Sequence, residues 1–370
     1  MSEERAHALT TPERIHEALR AVRDPRLGRP IADLGLVREV RVDGGDVYVR
    51  AAVAVPESDD ELRARITDAV SPLGSPRIEL EEVGAEERAE IIRTLRGGGR
   101  DETTFFVEGP TEVVAVASGK GGVGKSSVTV NLAAALAAEG ERVGILDADV
   151  WGFSVPRMMG IAGRPAGWGD VILPPTAHGV KVISMGFFVS DETPVIWRGP
   201  MLHKAIQQFL GDVWWGELDV LLVDLPPGTG DVSISLASFI PRGSMLVVTT
   251  PQDAARKVAE RAGRMAQHPN INLAVMGVIE NMAGFVCPHC GEVTDVFGEG
   301  GGKRTAAALD APFLGAIPMQ TSLRVSGDEG TPVVIGEPDS PAGQAFRDVS
   351  AEVARILASP RGKPLKLKQG

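Results

Sequence analysis

The apolar run "EVVAVAS" ends at Ser118, "GKGGVGKSS" follows at once, and "VTVNLAAALAAEG" then carries a helical pattern. A strand, a glycine-rich loop and a helix in direct succession admit few folds. Gly119, Gly124, Lys125 and Ser126 meet the phosphate-loop pattern G-x-x-x-x-G-K-S. Gly119, Gly121, Gly122 and Gly124 let the backbone curl until its N–H groups point inward at phosphate oxygens. The helix that follows adds its positive end. Lys125 neutralises the β and γ phosphates and Ser126 offers a hydroxyl to Mg²⁺. The nucleotide stretch takes in Lys120, Val123 and Ser127 as well. A glycine-rich loop can match such a pattern by chance, but the strand before it and the helix after it argue against chance here.

The rest of the second half repeats the alternation. "RVGILDAD", "VKVISM", "LDVLLVDLP", "SMLVVTT", "NLAVMGVIENM" and "PFLGAIPM" are continuous apolar runs, as strands buried on both faces require. Helical segments lie between them, and the last one starts with Ser340 as cap and Pro341 at its first position. The expected fold class is α/β, a doubly wound, mostly parallel sheet. A small α+β domain precedes it. There Thr11 and Pro12 open a helix, Asp43-Gly44-Gly45 turns a β-hairpin, Ser58 and Glu61 form a capping box, and "PRIELEEV" is a strand. The expected boundaries are 1–95 for the small domain, 96–110 for a glycine-rich linker and 111–370 for the nucleotide domain. With a linker behind it, the small domain is expected to be separable.

Composition narrows the classes of function. The net charge of −11 argues against a protein that coats nucleic acid. No run approaches the roughly 20 apolar residues of a membrane span, and the first residues carry charges where a signal peptide needs an apolar stretch. Two cysteines make no disulfide framework, so the cytoplasm is the expected compartment.

Carboxylates stand at strand ends beside the phosphate loop. Asp224 in "LLVDLPPGTGD" follows four apolar residues, the position that holds Mg²⁺ through water. Asp147 and Asp149 end the "ILDAD" strand. Any one of them could be a helix cap; together, at two strand ends, they read as a magnesium and phosphate site.

The two cysteines, Cys287 and Cys290, lie in "FVCPHCGE". This spacing suits a metal, but tetrahedral zinc and the common iron–sulfur clusters take four ligands. His289 is a weak candidate because it lies inside the turn. A redox dithiol is another reading, weakened because this C-x-x-C does not open a helix. A second copy of the chain supplies the missing pair: one [4Fe–4S] cluster bridged across a homodimer by four thiolates.

Lys120 resembles the signature lysine of the deviant phosphate-loop ATPases, which include the Min and Par partitioning proteins and the nitrogenase iron protein. The resemblance implies that Lys120 reaches across a dimer to the partner's nucleotide and acts in catalysis with Lys125, Asp149 and Asp224. It further implies that Asp147 helps hold magnesium water, Asp149 positions the attacking water, and Asp231 senses the γ phosphate. Asn281 resembles the adenine-reading amide of that group, and Pro318 and Met319 its packing contacts; Asn281 also fits a simple turn cap.

"SGKGGVGKS", "LDADVWGFSVPRMMG", "WRGPM", "DLPPGTGD", "VIENMAGFVCPHCG" and "VFGEGGG" together resemble the Mrp/ApbC family of iron–sulfur cluster carrier ATPases, from about Thr111 to the C-terminus. "DPRLGRPIADLGLVREV" resembles the family's MIP18-like N-terminal extension. The resemblance implies ATP hydrolysis and delivery of a [4Fe–4S] cluster to apo-proteins, with scaffold proteins as further partners. Two departures stand out. Phe153 replaces a proline, and "VAVPESDDEL" has no cysteine where related extensions often carry one. The alternatives are a Min- or Par-like partitioning ATPase and a nucleotide-switched scaffold whose C-x-x-C holds structural zinc. The tail "SPRGKPLKLKQG" has too little apolar surface to hold a membrane.

Overall fold

The computed structural model describes residues 10–95, 110–149, 152–188, 199–228, 243–268 and 273–359. They form two compact units. The smaller comprises the described residues up to Leu95 together with Ala166–Leu173 and Asp212–Gly216, and the larger the other described residues.

In the small unit, α1 (Pro12–Leu19) starts after Thr11 with proline at its first turn and buries Ile15 and Leu19. Strands β1 (Val37–Asp43) and β2 (Asp46–Val53) pair antiparallel. Gly44 and Gly45 join them, both at positive φ (56° and 95°), which only the primed hairpin turns demand. Helix α2 (Asp59–Val70) then carries the chain back so that β3 (Ser75–Glu82) lies parallel to β2. The capping box expected at Ser58 does not form. Ser58 Oγ donates to the Val55 carbonyl at 2.7 Å, and Glu61 pairs with Arg65 instead. A single turn of 3-10 helix just before α2 draws the hydroxyl backwards. Helix α3 (Ala85–Leu95) adds Ile91 and Ile92 to the core.

The large unit opens with β4 (Glu112–Ser118), the glycine loop and α4 (Lys125–Ala138). α4 is apolar on nearly every side and buried along most of its length, which its alanine-rich sequence permits. Next come β5 (Val143–Asp147) and the short α5 (Val155–Met158). The chain then contributes the hairpin β6 (Ala166–Trp168) and β7 (Val171–Leu173) to the small unit. β8 (Thr176–Ala177), β9 (Val180–Ser184), α6 (Gly199–Gly211), β10 (Val220–Asp224), β11 (Ser244–Thr249) and α7 (Asp253–Ala266) come after it. The last elements are β12 (Ala274–Val286), β13 (Val293–Thr294), α8 (Gly301–Ala308), β14 (Phe313–Met319), α9 (Thr321–Glu329), α10 (Val333–Gly336) and α11 (Pro341–Ala358). Ser340 caps α11 as expected, its side chain accepting from the Gly343 N–H at 3.1 Å.

The strands of the large unit form one sheet in the order β13-β12-β11-β4-β10-β5-β9-β8, with β14 also on β12. Within that sheet only the β8–β9 and β12–β13 pairings are antiparallel among the described residues. The doubly wound, mostly parallel sheet is therefore present, and β4, with the phosphate loop at its end, lies inside it between β11 and β10.

The sequence boundaries omit part of the small unit. Trp168, Val171 and Leu173 are buried in the same core as Ile15, Leu36 and Ile92. Trp214 donates from its indole to the Leu27 carbonyl at 3.0 Å. Short segments of about three to five residues carry no period long enough to reveal such a placement. No described helix is long and apolar enough to cross a membrane.

Candidate functional site

Parallel register puts three polar side chains at one level. Asp224 on β10 is the neighbour of Asp147 on β5, and Asp147 is the neighbour of Ser184 on β9. Beside them the first turn of α4 turns inward. Lys125 Nζ and Ser126 Oγ each lie 2.5 Å from an oxygen of Asp224, and Thr129 Oγ1 lies 2.9 Å from it, one helical turn further on. Lys125 and Asp224 are 6% and 0% exposed, so this ion pair is held almost out of water. Buried charges persist only when paired and hydrogen-bonded, and Asp224 has three donors.

Asp147 is held differently. Ser184 Oγ donates to its Oδ2 at 2.9 Å and the Asp149 N–H to its Oδ1 at 3.2 Å. Burial, and then the neighbouring Asp224 charge, push its carboxyl up to about 7, against these two hydrogen bonds and the Lys125 cation. Asp149 is buried and accepts from the Gly152 N–H at 3.1 Å. Two carboxylates, a serine hydroxyl and a lysine thus converge beneath a glycine-rich loop. Such a donor set fits Mg²⁺ and a polyphosphate: oxygen ligands from Ser126 and Asp224, with Asp147 close enough for a water-mediated hold. Thr129 and Ser184 escape sequence reasoning. Thr129 is legible only as the residue one turn after Lys125, and Ser184 only once β9 is known to border β5.

The phosphate loop itself is braced from β12. Asn281 Nδ2 donates to the Val123 carbonyl at 2.8 Å. The side chain is buried, and a Cβ on Gly124 would stand 2.3 Å from that nitrogen, so glycine is required there by close approach as well as by its φ of +77°. The loop contact gives Asn281 a role in addition to the adenine-reading one expected for it. Its amide serves the loop, because β12 runs alongside β11 and brings the asparagine under the turn. Pro318 and Met319 end β14, whose Ile317 is the neighbour of Asn281. Lys120 Nζ is bonded to Gln252 Oε1 at 3.0 Å, just ahead of α7. Asp231 lies outside the described residues.

Cys287 and Cys290 sit at the tip of a hairpin, an arrangement the apolar pattern of β12 does not reveal. β12 runs on past Asn281 to Val286 and pairs there with β13, Phe285 opposite Thr294 and Val286 opposite Val293. The loop is closed by the Cys287 N–H on the Glu292 carbonyl and the Gly291 N–H on the Cys287 carbonyl, both 2.9 Å. The backbone N–H of His289, then that of Cys290, and the Cys290 side chain hold the Cys287 thiol below its usual range. Stabilised sulfur of this kind is a ready metal ligand. His289 is exposed, and no group of three metal-ligating residues occurs among the described residues.

Known proteins resemble the chain in both halves. A family model described as NUBPL iron-transfer P-loop NTPase matches residues 109–354, and one described as iron–sulfur cluster assembly protein matches residues 12–79. An iron–sulfur cluster carrier protein of Mycobacterium tuberculosis is 48% identical over 350 residues, 91% of either chain. One of Bacillus subtilis is 38% identical over 92% of this chain and 97% of its own. Among solved structures, a nucleotide-binding protein of Archaeoglobus fulgidus in complex with ADP aligns with a TM-score of 0.55 at 39% identity. It covers 64% of this chain and 91% of its own. The septum site-determining protein MinD of Pyrococcus horikoshii shares the fold, with a TM-score of 0.50 at 23% identity over 67% of this chain and 98% of its own.

Proposed function

The chain belongs to the iron-transfer P-loop NTPase family of iron–sulfur cluster carriers, and from that premise we propose that it hydrolyses ATP and carries a [4Fe–4S] cluster to apo-proteins. The observation that carries this reading is the pairing of two exposed or half-exposed thiols on one hairpin with the glycine loop, Lys125 and Asp224 in the same sheet.

The chain's own residues divide the work. The loop from Gly119 to Ser127 receives the phosphates on its N–H groups. Lys125 leaves Asp224 for the β and γ phosphates, and Ser126 with Asp224 would hold Mg²⁺, which would screen the charge that develops on the phosphate oxygens. Asp149 orients the attacking water. Lys120 leaves Gln252 and crosses to the nucleotide of a second copy.

The cluster is cargo. One chain offers two thiolates, so Cys287 and Cys290 from each of two copies complete the four ligands. Val293 on the edge strand and Val296 in the turn after it, 59% and 55% exposed, give the second copy an apolar surface to cover. Exposed free thiols of this kind suit the reducing cytoplasm.

Transfer of the cluster to an apo-enzyme, followed by recovered activity of that enzyme with and without ATP, tests the reading. Iron and sulfide in the anaerobically purified protein and activation of the acceptor are expected. Zinc alone at the cysteines, with no activation, would overturn it.

A further inference from the structure

One strand touches both sites. β12 presents Asn281 to the phosphate loop, where its amide bonds the Val123 carbonyl at 2.8 Å. Six residues further along the same chain it delivers Cys287. Between them the strand is irregular. Asn281 is the neighbour of Ile317 and Phe285 that of Met319, so four steps along β12 match two along β14. Met282 has φ 60° and Gly284 φ 88°, both left-handed. A Cβ on Gly284 would stand 2.7 Å from Val293 on the opposing strand, so the bulge is packed tightly against the hairpin that holds the cysteines.

Bulges beside functional sites re-aim the residues downstream of them, and a strained non-glycine residue persists only when its surroundings hold it. Here the hold comes from two directions. Asn281 fixes one end of the bulge to the loop that must curl around phosphate. The β13 pairing fixes the other end to the cysteines.

We propose that Asn281 is a positioning residue that couples nucleotide binding to the cysteine hairpin: the occupied phosphate loop shifts the Val123 carbonyl, and β12 passes the shift through the 282–284 bulge to Cys287 and Cys290. This rests on the carrier reading only in taking those cysteines as cargo ligands. Glu280, the preceding residue, accepts from the Gly302 N–H at 2.5 Å and so anchors the strand to the start of α8, ahead of the point where Asn281 meets the phosphate loop.

Thiol reactivity in the cluster-free, full-length chain tests the coupling without any cluster chemistry. Alkylation of Cys287 and Cys290 by iodoacetamide is timed with and without magnesium and a non-hydrolysable ATP analogue. In the wild type the analogue is expected to change the rate about fivefold or more, the lower end of usual coupling between two sites. Asn281→Ala and Asn281→Asp, which lose the amide donor, are expected to remove most of that change and to shift the nucleotide-free rate as well. Leaving the Val123 carbonyl unsatisfied is a loss within the stability of an ordinary domain, so both variants are expected to fold. If a variant binds no nucleotide, its nucleotide-free rate decides. A wild-type response preserved in either variant, or a nucleotide-free rate equal to wild type in a variant that binds none, overturns the proposal.

A reciprocal measurement leaves Asn281 unchanged. Zinc ion added at the cysteines is expected to slow amide exchange at residues 119–125, and to lose that effect in the Cys287→Ser, Cys290→Ser double variant. Unchanged exchange in the loop also overturns the proposal. Neither result touches cluster transfer, so the carrier reading stands or falls separately.

Discussion

Lys120 Nζ bonds Gln252 Oε1 at 3.0 Å, so the lysine proposed to reach another copy's nucleotide is held in this chain by a neutral amide. A hydrogen bond from a charged ammonium contributes about 1.5–3 kcal/mol net, enough to park the side chain but not to lock it. Gln252→Ala should therefore favour nucleotide-dependent dimers by about tenfold or more, with the charge of Lys120 intact. Lys120→Ala should stay folded and lose the dimer-dependent turnover. Sedimentation with nucleotide and steady-state ATP turnover read both; wild-type turnover in Lys120→Ala removes the case for action across an interface.

Asp149→Asn should bind ATP as the wild type does and hydrolyse it about 10²–10⁴-fold more slowly, the usual contribution of a positioned base. Lys125→Ala should abolish turnover. It also leaves Asp224 buried without its cation, a loss of about 3–5 kcal/mol for a broken buried pair. Equilibrium binding of a fluorescent nucleotide, single-turnover hydrolysis and denaturant melts separate the two effects. An Asp149→Asn enzyme at the wild-type rate would show that another group handles the water.

Asp147 gives the nucleotide-free protein a definite pH dependence. Its folded value is raised to about 7 from an ordinary aspartate value near 3.8, first by burial and then by Asp224. Between those values the folded state holds a proton that the unfolded state has released. Stability therefore falls as pH rises through that window and levels off above about 7. Asp147→Asn cannot ionise and should flatten that part of the profile, so that it melts higher than the wild type at pH 8 in the absence of magnesium. Parallel melting curves from pH 5 to 8 would contradict the assignment.

Either Cys287→Ser or Cys290→Ser should empty the cluster site and weaken the cluster-dependent dimer. The wild type should hold about four iron and four sulfide per dimer, as a [4Fe–4S] cluster requires. Metal analysis with absorption spectra after anaerobic reconstitution reads the outcome. Full iron in either single variant would rule out four thiolates shared between two copies.

Removal of the first 95 residues should not yield a well-behaved nucleotide domain, contrary to what a glycine-rich linker suggests. Trp168, Val171 and Leu173 are buried only in the core of the small unit. Each exposes about 1.5–3 kcal/mol of buried apolar side chain when that core is gone, a sum comparable to a whole domain's stability. A chain starting near Phe105 should aggregate, and Trp168→Ser, Val171→Ser, Leu173→Ser together should restore its solubility. A soluble, monodisperse truncation without those changes would show that the β6–β7 hairpin finds other cover.

Local pattern was enough for the parallel sheet, the phosphate loop, the acidic strand ends and the cysteine pair, because each is written in a short window: β-branched runs, glycines at set spacing, a carboxylate after an apolar strand. The same holds for the Gly44-Gly45 turn and the Ser340 cap. What the window does not contain is who borders whom across the sheet. Ser184 meets Asp147 because β9 lies beside β5, Thr129 meets Asp224 because α4 packs over β10, and Asn281 meets Val123 because β12 borders β11. The capping box at Ser58 failed because a preceding turn redirected one hydroxyl, and the place of residues 166–173 in the small unit stayed hidden because a three-residue strand has no periodicity of its own. Hydrogen bonds and burial between residues far apart in the chain depend on topology, and topology is settled by the packing of the whole sheet rather than by any segment of it.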